Sequence, residues 1–387
     1  MERFFCPECR RFYPVSPTRW RCDCGSFLDL EFKPAFPIEK ILKRAPTLWR
    51  YREAIPVRQE GATVSMGEGV TPLEEMDFNG RRVFVKIDYL FPTGSYKDRG
   101  AAVLVSKAKE LGIKKVVEDS SGNAGSAIAA YCARAGIRCE IYVPGSTSPE
   151  KLVQIETYGA TLQKVAGSRE RTAEVTMEAA LKTYYASHCW NPFFLHGTKT
   201  FAFETWEQMD WNAPDTIVLP VGHGTLFLGT YIGFRELKEA GLVKKIPKLV
   251  GVQSAFCAPL YQAFKKGAQK EVTIEKKETL AEGIAIAKPI RGKQILEAVR
   301  ETGGEILSVT EREVVVALRE MGQRGHYIEP TAAATIAGLQ KYLKHIKKEV
   351  VVSTLTGVGL KATEKIGHLF TELYKPKKAK TSRGDFT

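Results

Sequence analysis

Lys97 stands in the run PTGSYKDRG (92–100), behind a glycine-containing turn and ahead of an acid and a base. A lysine that only solvates a surface needs no such frame. Its amine attacks a carbonyl when burial or neighbouring positive charge keeps part of it deprotonated. Three further runs are rich in glycine and small polar residues: DSSGNAGS (119–126), PVGHGTLFLG (220–229) and TLTGVGLK (354–361). In VGHGT, Gly222 and Gly224 let the main chain approach an anion, and a helix opening there aims free N–H groups at it. That suits a phosphate, although a tight connection without a ligand would use the same glycines. The spacings of a P-loop and of a dinucleotide fingerprint are absent. In SSGNAG, Gly122 and Gly125 permit a close turn, and Ser120 and Ser121 offer hydroxyl and N–H groups for a carboxylate. Asn123 supplies both a donor and an acceptor, or simply an N-cap.

A second kind of chemistry is written in the first 24 residues, where Cys6 and Cys9 (CPEC) and Cys22 and Cys24 (CDCG) lie close together. Two thiolate pairs on tight turns close a tetrahedral zinc site and fold a segment too small to own a core. The second pair is spaced C-x-C, tighter than the usual C-x-x-C. An eroded ribbon without metal and a redox pair therefore stay open beside structural zinc. Four thiolates leave no open position for a catalytic metal. Cys132, Cys139, Cys189 and Cys257 are scattered.

These residues need a scaffold, and the hydrophobic pattern describes one. Proline punctuates residues 34–56, a linker with a short helix at IEKILKR; the glycine-rich GEGVTPL (67–73) follows. Then short β-branched runs alternate with helical ones. RVFVKI, KKVVEDS, RCEIYVP, TLQKVA, TIVLPV, KLVGVQ, EILSV and EVVVSTL read as strands. A helix is expected from about 97 to 111, a long one over roughly 168–184, and one through TKTFAFETWEQM. Apolar strands separated by helices indicate buried parallel sheets. The fold class is α/β, with two doubly wound parallel-sheet domains and a small N-terminal zinc-ribbon-like segment. Ligands of such sheets collect at the carboxyl ends of strands, where the glycine runs fall.

The totals narrow the function classes. The 387 residues exceed one compact core. No apolar run is long enough to span a membrane, and MERFFCPECR has no secretory pattern, so a cytoplasmic protein is expected. The net charge is +13. Solvated helix faces account for it more simply than nucleic acid, since no aromatic–basic signature appears. The basic C-terminal stretch, 376–387, reads as a flexible tail.

A lysine set against a phosphate-binding turn on an α/β scaffold suits a Schiff base with pyridoxal phosphate. GEGVTPL, PTGSYKDRG, SSGNAGSAIAAYCARAG, WNPFFLHGTKTFAFE, PVGHGTLFLGTYIGF and TGVGLK, in this order over about 60–365, resemble the tryptophan-synthase-β-like (fold type II) family of pyridoxal-phosphate enzymes. Within it the chain is most similar to threonine synthases, many of which carry a cysteine ribbon. The resemblance implies a Schiff-base lysine and Cα proton shuttle at Lys97, and Asn123 on the phenolic oxygen of the cofactor. It implies a phosphate cradle at Val221, Gly222, His223, Gly224, Thr225 and Leu226, and Thr356 at the pyridine nitrogen. Ser120, Ser121, Gly122 and Ala124 would take the substrate carboxylate. EGI (282–284) and EPTAAA (329–334) resemble segments flanking the ring, although Glu329 also suits a helix start.

Two departures from the family pattern stand out. His223 occupies a place where Asn is usual. The run GSRERTAE (167–174) lacks the Asn and Arg that serve a substrate phosphate, leaving Ser168 with Arg169 or Arg171 for that task. The resemblance implies domains at 34–98 plus 205–375 (large, cofactor-binding) and 99–204 (small), a homodimer, and O-phospho-L-homoserine and water as substrates of a threonine-forming reaction. The alternatives are a serine or threonine dehydratase, a cysteate or cysteine synthase-like enzyme, or, from another class, a non-catalytic binding protein. Whether Arg169, Arg171 or His188 lines the distal pocket separates a phosphorylated substrate from the others.

Overall fold

The computed structural model of the chain describes residues 2–275 and 277–373; the side chains of 150, 151 and 371–373, and the tail expected at 376–387, lie outside the described residues. The strands in chain order are β1 (Arg3–Phe5), β2 (Phe12–Pro14), β3 (Asp29–Glu31), β4 (Leu73–Asp77), β5 (Arg82–Lys86), β6 (Lys115–Glu118), β7 (Arg138–Pro144), β8 (Thr161–Val165), β9 (Tyr184–Tyr185), β10 (Thr216–Pro220), β11 (Lys248–Ser254), β12 (Glu305–Val309) and β13 (Val351–Thr354). They form three sheets, ordered β2-β1-β3, β12-β11-β10-β13-β5-β4 and β8-β7-β6-β9.

The large sheet is parallel from β12 to β5, and only the edge strand β4 runs antiparallel. Every residue of β10 and β13 is buried. Their β-branched runs are covered on both faces, as an all-parallel arrangement requires. The small sheet is parallel throughout. The N-terminal sheet is antiparallel, and the four clustered cysteines lie in the loops beside its strands.

Two expectations change. The helix placed over 168–184 ends at Ala179, because Tyr184 and Tyr185 pair with Val116 and Val117 as a fourth strand of the small sheet. Cross-strand pairing there overrides the helical pattern. The large sheet is also not wholly parallel: β4 and β5 form a hairpin across Asn79 and Gly80, both at positive φ.

The helix Lys97–Glu110 starts where the sheets meet, and Gly100 fixes its depth. A Cβ on Gly100 would lie 2.4 Å from the Phe194 ring, and one on Gly197 would lie 2.1 Å from the Arg99 carbonyl. Only glycine lets this helix cross Pro192–Thr198 so closely. Behind it, Arg99 is fully buried and bonds both oxygens of Asp88 (2.8 and 2.9 Å) and both of Glu204 (2.6 and 2.8 Å). Lys86 Nζ reaches Glu204 at 2.8 Å.

The N-terminal sheet is fastened to the body by Arg291. Its buried guanidinium donates to Asp29 and the Leu28 carbonyl of that segment, and to the carbonyls of Cys189 and Trp190. Trp20 packs edge-on against Tyr185 and Trp190.

Candidate active site

Lys97 opens its helix, and its Nζ donates to the Tyr96 hydroxyl (2.7 Å) and lies 3.4 Å from Thr225 Oγ1. Thr225 opens the helix Thr225–Glu239, directly after β10 and the turn of Val221, Gly222, His223 and Gly224. Gly224 sits at φ +73°, and a Cβ there would meet Ile295 at 2.4 Å. A Cβ on Gly222 would lie 3.0 Å from the Gly283 carbonyl, inside the EGI segment. The glycines thus bare main chain at a helix N-terminus, with the Lys97 amine beside it. Leu226 is buried within that helix.

The loop after β13 closes another side. The Tyr96 N–H donates to the Thr356 carbonyl at 3.0 Å, and Ser95 bridges to Gly357. Thr356 Oγ1 is buried and has no hydrogen-bond partner among the described residues. A buried hydroxyl left unpaired costs about 1–3 kcal/mol, so it marks a place where a ligand atom belongs.

Asn123 opens the helix Asn123–Ala135 after β6. Its Nδ2 donates to Glu329 Oε2 at 2.9 Å, and its Oδ1 accepts from Lys361 Nζ at 3.1 Å. Glu329 precedes the helix Pro330–Leu343 but makes no capping bond; its carboxylate turns to Asn123 instead. Burial pushes the Glu329 carboxyl up and the Lys361 amine down. Lys361 ends the run TGVGLK yet drew no role from the sequence; its being the sole cation of that run was the available signal. In the loop before Asn123, Ser120 Oγ accepts the Gly122 N–H (3.3 Å), and a Cβ on Gly125 would strike the Ser120 carbonyl at 1.9 Å. Ser121 is half-buried, Gly122 exposed and Ala124 buried.

The remaining wall comes from the end of β6 and from residues 187–191. His188 Nδ1 is 2.8 Å from Glu118 Oε1, and the His188 and His223 rings stand nearly perpendicular with centroids 5.6 Å apart. Ligand-type atoms of His188, Cys189 and His223 all lie within 4.8 Å of one another. Burial and the Lys97 charge push His188 well below the usual histidine range; burial, His188, Arg169 and Lys97 do the same to His223. Burial pushes the Glu118 carboxyl up to about 8. Glu118 Oε2 and His223 Nδ1 are buried without partners among the described residues. Arg169 reaches the Asp119 carbonyl at 3.4 Å, so its charge lies beside this wall. Ser168 Oγ instead accepts the Arg171 N–H (3.2 Å) and caps its own helix; Arg171 pairs with Glu174 (2.9 Å) on an exposed face. Arg169 and His188 therefore sit at the site, and Arg171 does not. The Glu118–His188 pair spans 70 residues, and only the histidine was visible as a candidate.

Away from this site, Cys9 and Cys22 bring their sulfurs to 3.3 Å and Cys6 and Cys24 to 3.6 Å, with all four inside 4.8 Å.

An amine, an unpartnered hydroxyl, an amide and a bare helix N-terminus face one space, and this set fits pyridoxal phosphate. Comparison with known proteins agrees. The family described as "Pyridoxal-phosphate dependent enzyme" matches residues 64–357. Threonine synthase of Methanocaldococcus jannaschii is 35% identical over 372 residues, covering 92% of each chain. That of Methanosarcina acetivorans is 35% identical, covering 93% of this chain and 92% of the relative. That of Synechocystis is 37% identical, covering 80% and 82%. Among solved structures, a T.th. threonine deaminase superposes with TM-score 0.65 at 25% identity, over 75% of this chain and 92% of that one. Serine racemase from Dictyostelium discoideum gives TM-score 0.65 at 26% identity, over 82% and 99%.

Proposed function

The chain belongs to the family of pyridoxal-phosphate dependent enzymes, and from that premise we propose that it is a threonine synthase, converting O-phospho-L-homoserine and water to L-threonine and phosphate. The observation that carries the reading is the Lys97 amine poised beside the Thr225 helix N-terminus and facing a wall that holds Arg169 and His188. When bound, the cofactor supplies the electron sink for carbanion chemistry at Cα.

Lys97 Nζ would hold the cofactor, and its amine is placed to move the proton at Cα. The turn from Val221 to Leu226 takes the cofactor phosphate on main-chain N–H groups and the Thr225 hydroxyl. Thr356 offers the ring nitrogen a neutral hydroxyl rather than a carboxylate, which moderates the sink and favours elimination and replacement over transamination. Asn123, pinned between Glu329 and Lys361, orients the phenolic side of the ring. Ser120, Ser121, Gly122 and Ala124 form the loop for the substrate carboxylate. The Arg169 guanidinium attracts the substrate phosphate and stabilises its departure from Cγ; Ser168 assists by capping the helix start with its hydroxyl, which holds Arg169 in place.

The same reading includes structural zinc on Cys6, Cys9, Cys22 and Cys24. A tetrahedron with Zn–S of about 2.3 Å has sulfurs about 3.8 Å apart, close to the separations of the two pairs. It also includes a large domain of 34–98 and 205–375 and a small one of 99–204. In support, the six-stranded sheet draws only on the former and the four-stranded sheet only on the latter. A homodimer in the cytoplasm completes it; light scattering checks the dimer, and metal analysis before and after chelation checks the zinc.

The deciding experiment incubates cofactor-loaded enzyme with O-phospho-L-homoserine, L-serine and L-threonine separately. Threonine and phosphate from the first alone is the expected result. Keto acid from serine or threonine, with no phosphate released from the first, would overturn the reading in favour of a dehydratase.

A further inference from the structure

The threonine-forming reaction moves more protons than Lys97 can serve alone. A proton leaves Cα, another leaves Cβ, one is added at Cγ, and the water that adds at Cβ must lose one. Around Lys97 the hydroxyls of Tyr96 and Thr225 are bonded to each other (3.0 Å) and Lys361 is engaged by Asn123. Two imidazoles remain. His188 and the Lys97 amine flank the same Phe194 ring, at 6.0 Å and 5.9 Å from its centroid. His188 Nδ1 is committed to Glu118, which leaves Nε2 for the site. Among the described residues His223 has no carboxyl partner, whereas His188 has Glu118, whose second oxygen is unpaired.

We infer that His188 is the acid–base group for Cβ in this enzyme, with Glu118 as its positioning residue. The inference rests on the threonine-forming reading. In the hydration step the O–H bond of water breaks and the new bond joins oxygen to Cβ. The proton goes to His188 Nε2, and the electron pair displaced from Cβ moves to Cα, where Lys97 returns a proton. In its ionised form Glu118 accepts the Nδ1–H, which leaves Nε2 free, and stabilises the imidazolium so formed; burial raises this carboxyl to about 8, so that form gains weight as pH rises toward 8. Burial keeps His188 neutral beforehand, and so ready to accept. The logic is that of a nucleophile's base oriented by a third group, here applied to water.

If water is not delivered to Cβ, the eliminated substrate escapes as 2-oxobutanoate and ammonia, with the same phosphate released. The ratio of threonine to phosphate therefore reads the hydration step and is unmoved by a lower fraction of folded enzyme. The test measures phosphate, threonine and 2-oxobutanoate from O-phospho-L-homoserine with the wild type, His188→Asn, His188→Gln and Glu118→Gln. Visible absorption of the bound cofactor shows which variants keep the site assembled, and those are compared. The wild type is expected to give about one threonine per phosphate. The His188 variants should lower that ratio at least about tenfold in favour of 2-oxobutanoate, with Glu118→Gln moving it the same way by less. An unchanged ratio in variants that retain the cofactor would overturn the inference while leaving the functional reading intact. A wild type that releases no phosphate would overturn the functional reading, and this inference with it.

Discussion

Two clusters of buried charge, one around Arg99 and one around Glu118, differ in how fully they are paired. In the first, the Arg99 guanidinium meets both carboxylate oxygens of Asp88 and of Glu204, and Lys86 completes the set. In the second, Glu118 holds His188 by one oxygen while its other oxygen and the Nδ1 of His223 have no partner. The first is saturated and has nothing left to offer a ligand. The second sits among groups whose protonation burial has shifted, and carries spare donors and acceptors. A buried polar atom left open costs stability and is retained where a substrate or proton will use it. The sheet-side network is scaffold; the wall at the end of β6 is chemistry.

The comparison can be broken by substitution. Lys97→Ala should have the largest effect, lowering turnover about 10³-fold or more with little change in denaturant stability, because its amine is half-buried and bonded to neutral hydroxyls. Steady-state rates beside a urea titration check this. Glu204→Gln should do the reverse, costing about 3–5 kcal/mol by leaving Arg99 and Lys86 undercompensated. A urea midpoint unchanged from wild type would remove the distinction drawn above.

Acid sharpens it. Burial pushes the Glu204 carboxyl up, but Arg99 and Lys86 overcome that and hold it down at about 2, below its ordinary 4.5. A depressed carboxyl stabilises the fold fully above the unfolded value and loses that contribution as pH falls toward the folded one. Wild-type stability should therefore decline between about pH 4.5 and 2, and Glu204→Gln should flatten the decline. The smallest expected effect is at Thr356. Thr356→Val should leave the cofactor-free protein as stable or about 1 kcal/mol more so, because it removes an unpaired hydroxyl. It should at the same time weaken cofactor binding in a fluorescence titration.

Much of this was legible in the sequence because the signals were local. Lys97, the glycine turns and the alternation of strands with helices are each written within about ten residues. What was hidden depends on distance. β9 is two tyrosines long, and only their pairing with β6 makes them a strand. Glu118 reads as the end of a strand until the fold brings His188 to it. Lys361 ends the run TGVGLK, but its value comes from Asn123, 238 residues earlier. Arg169 and Arg171 look equivalent in sequence; helix phase alone sends one to the site and the other to Glu174.

The Arg291 clasp has a consequence for how the chain folds. The contacts among Cys6, Cys9, Cys22 and Cys24 are short in sequence. The guanidinium that seats the N-terminal sheet against residues 189 and 190 lies 262 residues from Asp29. Contacts of that span form late, since loop closure must precede them. This fastening of the N-terminal sheet is thus among the longest-range steps of folding, and it secures the segment that carries His188.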